Sequence, residues 1–141
     1  MTHLSDLILD TVHIVIRRHM SATTVSINGR PVIVEWTQTA AKSLANRSRP
    51  LVVELELYFS CLVKKFVHFH DEAPGRTTIQ VADKLHLYFR AVTSTACTMD
   101  VAERLGRQPE AELDTAASHK LSPKRVRLDF RKGKWQADFW M

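Results

Sequence analysis

The alternation of apolar and polar side chains is clearest in the middle of the chain. Over Leu51–Phe59, the residues Val53, Leu55, Leu57 and Phe59 fall on one side of an extended backbone, and Glu54, Glu56 and Tyr58 on the other. Leu62–His70 repeats the pattern, with Val63, Val67 and Phe69 alternating with Phe66, His68 and His70. The pattern predicts a hairpin centred near Leu62, with Glu56 opposite His68 and Glu54 opposite His70 on one face. On its other face Leu55 would meet Phe69, and Leu57 would meet Val67. Lys84–Val92 alternates again, with Leu85, Leu87, Phe89 and Ala91 inward. Its Leu85-His86-Leu87-Tyr88-Phe89 echoes Leu55-Glu56-Leu57-Tyr58-Phe59, as two strands facing one core would without any duplication.

Two more hairpins follow from turn chemistry. Val25-Ser26-Ile27 and Val32-Ile33-Val34-Glu35-Trp36 flank Asn28-Gly29, a pair suited to the positive φ angles of a type I′ turn. Pro31 cannot donate to a ladder, which places this hairpin at a sheet edge. Near the C-terminus Val126, Leu128 and Phe130 alternate with Arg125, Arg127 and Asp129. After a turn at Lys132-Gly133, Trp135, Ala137 and Phe139 alternate with Gln136, Asp138 and Trp140. Phe130 and Trp135 are thus expected in the core and Trp140 outside it.

Helical spacing is weaker. Leu4, Leu7, Ile8, Val12 and Val15 suit a helix over Leu4–Arg18, although the β-branched run Val12–Ile16 also suits a strand. Thr37–Asn46 reads as a short helix, with Pro50 barring any continuation. Thr98 resembles an N-cap for a helix that Gly106 would end, and Pro109–Ser118 reads as one helical segment in a polar connection. Together these elements predict an α+β fold: a mainly antiparallel sheet of six or seven strands built from hairpins, with two to four helices packed on one side. No linker or composition shift interrupts residues 1–141, so a single α+β domain is expected.

Composition narrows the classes without choosing among them. The 141 residues are 45% apolar and 25% charged, which suits a globular chain and excludes intrinsic disorder. Gly29, Gly75, Gly106 and Gly133 are isolated, so no phosphate loop or dinucleotide fingerprint can be drawn. Two cysteines, Cys61 and Cys97, are too few for a disulfide scaffold. The apolar run Leu7–Ile16 is interrupted by Asp10 and His13 and has the layout of neither a signal peptide nor a membrane span. A reducing cytoplasmic location with no membrane partner is the expectation. Cys61, beside Lys64 and Lys65 at the hairpin apex, is a thiol whose reactivity the neighbouring cations would favour.

Charge changes the picture more. The chain carries net +5, but Lys120–Lys134 holds seven basic residues against the single Asp129, leaving thirteen basic and fourteen acidic residues elsewhere. The basic character is therefore a patch. Arg125, Arg127 and Lys134 share the side of the strands opposite Leu128 and Phe130, and Lys124, Arg131 and Lys132 flank them. Such a stripe suits phosphate or another anion and predicts salt-dependent nucleic-acid binding. It would also guard a sheet edge against unwanted pairing.

The second chemical candidate is the face carrying Glu54, Glu56, His68 and His70, with His86 adjacent if the third strand pairs nearby. Histidines two apart on a strand project together and with the glutamates could ligate Zn, Fe or Mn; no other cofactor is indicated. The same residues equally make cross-strand Glu–His pairs on a solvated face, each worth ~0.2–1 kcal/mol. No nucleophile or catalytic residue stands out. The expectation is a small, non-catalytic binding or protein-interaction module, with a protein partner or a second copy engaged through the edge hairpin and Trp140. The alternatives are a nucleic-acid-binding domain using the C-terminal hairpin and a metal-binding protein or enzyme using the His–Glu face.

Overall fold

The computed structural model describes residues 20–73, 75–94 and 110–141. Strands β1 (Met20–Ile27) and β2 (Arg30–Thr37) form the expected hairpin, with Asn28 at φ 51° and Gly29 at φ 75° in its turn. A helix, α1 (Gln38–Ala45), carries the chain to β3 (Leu51–Phe59) and β4 (Val63–His70). Next come β5 (Ile79–Ala82), β6 (Leu85–Ser94), β7 (Glu110–Glu112) and a single 3-10 turn, Ser118–Lys120. The chain closes with the hairpin β8 (Arg125–Arg131) and β9 (Lys134–Trp140), turning at Lys132 (φ 52°) and Gly133 (φ 73°).

These strands do not form the expected single sheet with helices on one side. About 60% of the described residues are in strands and 10% are helical, with one α-helix and two sheets. One sheet has four strands in the order β1-β2-β8-β9; the other has five, in the order β4-β3-β6-β5, with β7 also on β6. The α+β assignment is therefore corrected to a mainly β architecture. Each sheet uses the inner face of the other where helices were expected. Val32, Val34, Val126, Leu128 and Phe139 meet Leu51, Val53, Leu55, Leu85 and Leu87 in one apolar core, to which α1 adds Ala40 and Leu44. The rings of Phe89 and Phe139 pack edge to face across it, 6.3 Å apart.

Hairpins alone do not build the sheets either. β2 runs parallel to β8, and β3 runs parallel to β6, so the centre of each sheet is a parallel pair flanked by antiparallel ones. Within Pro109–Ser118 the described residues form no α-helix: Glu110–Glu112 pairs antiparallel with Val92–Ser94, and Ser118 only opens the 3-10 turn. The reason is an open edge. β5 covers β6 only as far as Leu87, and β7 pairs with its far end, Val92–Ser94, outweighing local helix preference. The helices expected over Leu4–Arg18 and from Thr98 to Gly106 lie outside the described residues. Among the described residues no helix is long and apolar enough to cross a membrane.

Pro31 is explained by topology. β2 joins β8 only from Ile33 onward, so Pro31 precedes the second ladder and its missing N–H deprives no partner. β1 is the edge strand of this hairpin.

Candidate functional site

The two expected sites lie on the outer faces of the two sheets. On the five-stranded sheet, β3 brings Glu54 and Glu56 to the face away from the core. The register is Glu54 opposite His68, Glu56 opposite Phe66 and Val52 opposite His70. This differs by two residues from the expected pairing because the loop is Ser60-Cys61-Leu62, centred one residue earlier. A two-residue slide leaves every side chain on its expected face. The long side chains then reach along the diagonal to the expected partners: His70 Nε2 lies 2.8 Å from Glu54 Oε1, and His68 Nε2 3.4 Å from Glu56 Oε1.

Strand β6 supplies two residues that alternation did not single out. Its parallel register sets Tyr88 beside Glu54 and Arg90 beside Glu56, while His86 falls beside Val52 and pairs with Thr78 Oγ1 at 3.2 Å. The repeated Leu-x-Leu-Tyr-Phe motif could not reveal this, because the two copies are out of step in the sheet. The Tyr88 hydroxyl donates to Glu54 Oε1 at 2.6 Å, and Arg90 Nη1 donates to Glu54 Oε2 at 3.1 Å.

The two glutamates are buried, Glu54 at 5% and Glu56 at 1% exposed, while the His68 and His70 side chains beside them stay about a third open to solvent. Burial, the largest influence, pushes the Glu54 carboxyl up, but hydrogen bonds from Tyr88, His70 and Arg90 and the charge of His68 together hold it below its ordinary value. Burial also raises the Tyr88 phenol, and its bond to the Glu54 carboxylate raises it further. One ligand atom each from Glu54, Glu56 and His68 lies within 4.8 Å of the others, while His70 sits on Glu54. The donor set suits Zn, Mn or Fe. Arg90, however, already stands 3.1 Å from Glu54 and 3.8 Å from Glu56, so a dication would have to displace a guanidinium from both carboxylates.

The four-stranded sheet presents the other site. Arg125 and Arg127 extend from the outer face of β8, and parallel pairing puts Ile33 beside Arg125 and Glu35 beside Arg127. Glu35 accepts from Arg127 Nη2 at 3.0 Å and lies 3.5 Å from Arg125 Nε, which spaces the two guanidinium groups along the strand. Trp140 is directly across from Arg125 on β9 and is 42% exposed. Lys124, Arg125, Arg127, Ile33 and Trp140 line a shallow cleft of about 350 Å³. Lys65 of β4 completes the group: its Nζ lies 5.8 Å from the Trp140 ring and 3.0 Å from Asp138. No local pattern marks Lys65, since only the packing of β4 against β9 brings it there.

The six basic residues of the expected stripe are therefore divided. Lys124, Arg125 and Arg127 gather around Trp140. Arg131, Lys132 and Lys134 stand at the opposite end of the hairpin, ~20 Å away along the strand, where Arg131 pairs with Asp129 at 2.5 Å. Phe130 and Trp135 pack inward with rings 4.7 Å apart, leaving Trp140 as the aromatic on the cationic face among the described residues.

Cys61 is exposed in the β3–β4 loop, and Cys97 lies outside the described residues. A cleft of about 440 Å³ brings Asp114, Ser118 and His119 together, with His119 Nε2 2.6 Å from Asp114. Ser118 Oγ lies 2.8 Å from the Thr115 carbonyl and 3.0 Å from that of Leu113, and its one proton serves these instead of the imidazole, so Ser118 and His119 do not form a nucleophile–base pair.

Fold and site together define a two-sheet, mainly β protein with a cationic, tryptophan-bearing outer face. No protein-family model, no curated protein and no solved structure matches the chain.

Proposed function

We propose that the protein is a non-catalytic binding module that takes single-stranded nucleic acid on the outer face of the four-stranded sheet. The observation that carries this reading is the cross-strand pair of Arg125 and the half-exposed Trp140, with Ile33 beside them on the same face. An aromatic next to cations is the arrangement a single strand needs: a base stacks on the indole for ~1–3 kcal/mol while its phosphates meet the cations. Lys65, Lys124, Arg125 and Arg127 surround that ring, and Glu35 holds both arginines ready. A shallow, open cleft suits a strand laid across the sheet better than an enclosed small molecule.

Fluorescence anisotropy of a labelled oligo-uridylate tests the reading. Binding is expected to weaken with salt at a log–log slope of roughly −2, as for three phosphate contacts on a single strand. Trp140→Ala should weaken affinity by about tenfold without changing that slope, whereas Arg125→Ala should reduce the slope by about 0.7. Absence of binding at low salt, or binding indifferent to both substitutions, would remove the proposal.

A further inference from the structure

Strand edges expose backbone hydrogen-bonding groups, and a protein that stays unpaired protects them with charge, proline, bulges or brevity. Three described edges carry such protection. β9 bears Lys134 and Asp138, and its Phe139 carbonyl is taken by Lys65 Nζ at 2.6 Å. β4 bears Lys64 and Lys65. On the far side of β6 stand a four-residue strand with a register shift, β5, and a three-residue strand, β7.

β1 has none of these devices. Its eight residues, Met-Ser-Ala-Thr-Thr-Val-Ser-Ile, include no charge and no proline, and its register with β2 is unbroken. Ile27 and Arg30 flank a two-residue turn, so Ile27, Val25, Thr23 and Ser21 exchange bonds with β2. Ala22, Thr24 and Ser26 consequently direct their N–H and C=O groups away from the sheet, and among the described residues none takes them.

We propose that this edge pairs antiparallel with β1 of a second copy of the chain, joining two four-stranded sheets into one of eight. Self-pairing suits the charge distribution. A β1–β1 contact brings no like charges together, whereas the same contact through β4 or β9 would set lysine near lysine. The cationic strand β8 is two places in from β1, so its two copies would lie five interstrand spacings apart, ~24 Å, beyond the ~10 Å screening length at moderate salt. The contact is isologous and closes on itself, which is the geometry of a two-fold dimer. It stands apart from whatever the outer face binds.

Light scattering of the full chain over a range of concentrations should give twice the chain mass at the upper end. Thr24→Lys, placing a charge on β1, should raise the dimer dissociation constant at least tenfold, and Gln136→Lys on β9 should leave it unchanged. Amide exchange on the wild-type protein supplies a reading that does not depend on a variant folding. The Ala22, Thr24 and Ser26 amides should be protected at high concentration and lose protection on dilution. A wild-type chain that stays monomeric overturns the proposal, as does a dimer whose β1 amides exchange freely or one broken by Gln136→Lys and not by Thr24→Lys.

Discussion

Glu54 holds its proton more weakly than an ordinary glutamate although it is buried, because three donors converge on its two oxygens. Its native affinity for protons is below that of the unfolded chain, so the unfolded state protonates first. The contribution to stability is present in full above pH ~4.5 and is lost as pH falls through the depressed native value. Tyr88→Phe removes the donor at 2.6 Å and keeps the ring. It should cost about 2 kcal/mol at pH 7, the range for a hydrogen bond to a charged group. The difference from wild type should shrink at a pH below the depressed native value, where Glu54 is protonated in both proteins. Urea unfolding at the two pH values measures this, and an equal loss at both would contradict the account. At this scale the sequence revealed the partners Glu54–His70 and Glu56–His68, because the register differs from the expected one by two residues and so keeps all four side chains on one face. Tyr88 and Arg90 escaped notice because their approach depends on a parallel register that alternation does not encode.

The elements that could be read directly are those with local signals. Asn28-Gly29 and Lys132-Gly133 take the positive φ angles their hairpins require. Helix α1 begins where Thr37 accepts from the Ala40 N–H at 3.2 Å, one turn before any core contact is needed. Thr37 does more than cap: its hydroxyl donates to Asp129 Oδ1 at 2.7 Å, tying the end of β2 and the start of α1 to β8. Burial pushes the Asp129 carboxyl up, and the bonds from Thr37, the Phe130 N–H and Arg131 together outweigh it and hold the group below its ordinary value. Thr37→Ala should therefore cost about 2 kcal/mol, a lost cap of ~1 together with a hydrogen bond of similar size. Thr37→Ser, which keeps the oxygen, should stay within ~0.5 kcal/mol of wild type in chemical denaturation. A serine variant as weak as the alanine one would mean that the methyl, and not the hydroxyl, stabilises this junction. What local reading could not supply was the pairing of β2 with β8, since Ile33 and Arg125 are joined by no turn and no shared motif. The same gap led to one sheet with helices where two sheets face each other. A face that alternates correctly says that something covers it, and not whether the cover is a helix or another sheet.

For the whole molecule, self-pairing through β1 and the cationic outer face have a joint consequence. Antiparallel pairing about a two-fold axis normal to the sheet keeps both outer faces on the same side, so the two Trp140–Arg125 sites would face the same way, separated by at least the ~24 Å between the β8 strands. A nucleic acid long enough to span that distance engages the second site at an effective concentration of order mM, whereas a short one binds each site independently. Wild-type protein above its dimerisation constant should hence bind a long oligo-uridylate at least tenfold more tightly per molecule than one too short to bridge. The Thr24→Lys monomer should lose most of that preference while binding the short probe at least as tightly as wild type, because Thr24 stands across from Ile33 on the same outer face and the lysine adds a cation there. Anisotropy titrations with both lengths separate the two proposals. A short probe that fails to bind either protein counts against the nucleic-acid reading alone. Length preference that survives unchanged in the monomer assigns the extra affinity to additional contacts along one copy, reaching toward Arg131, Lys132 and Lys134 at the other end of the hairpin.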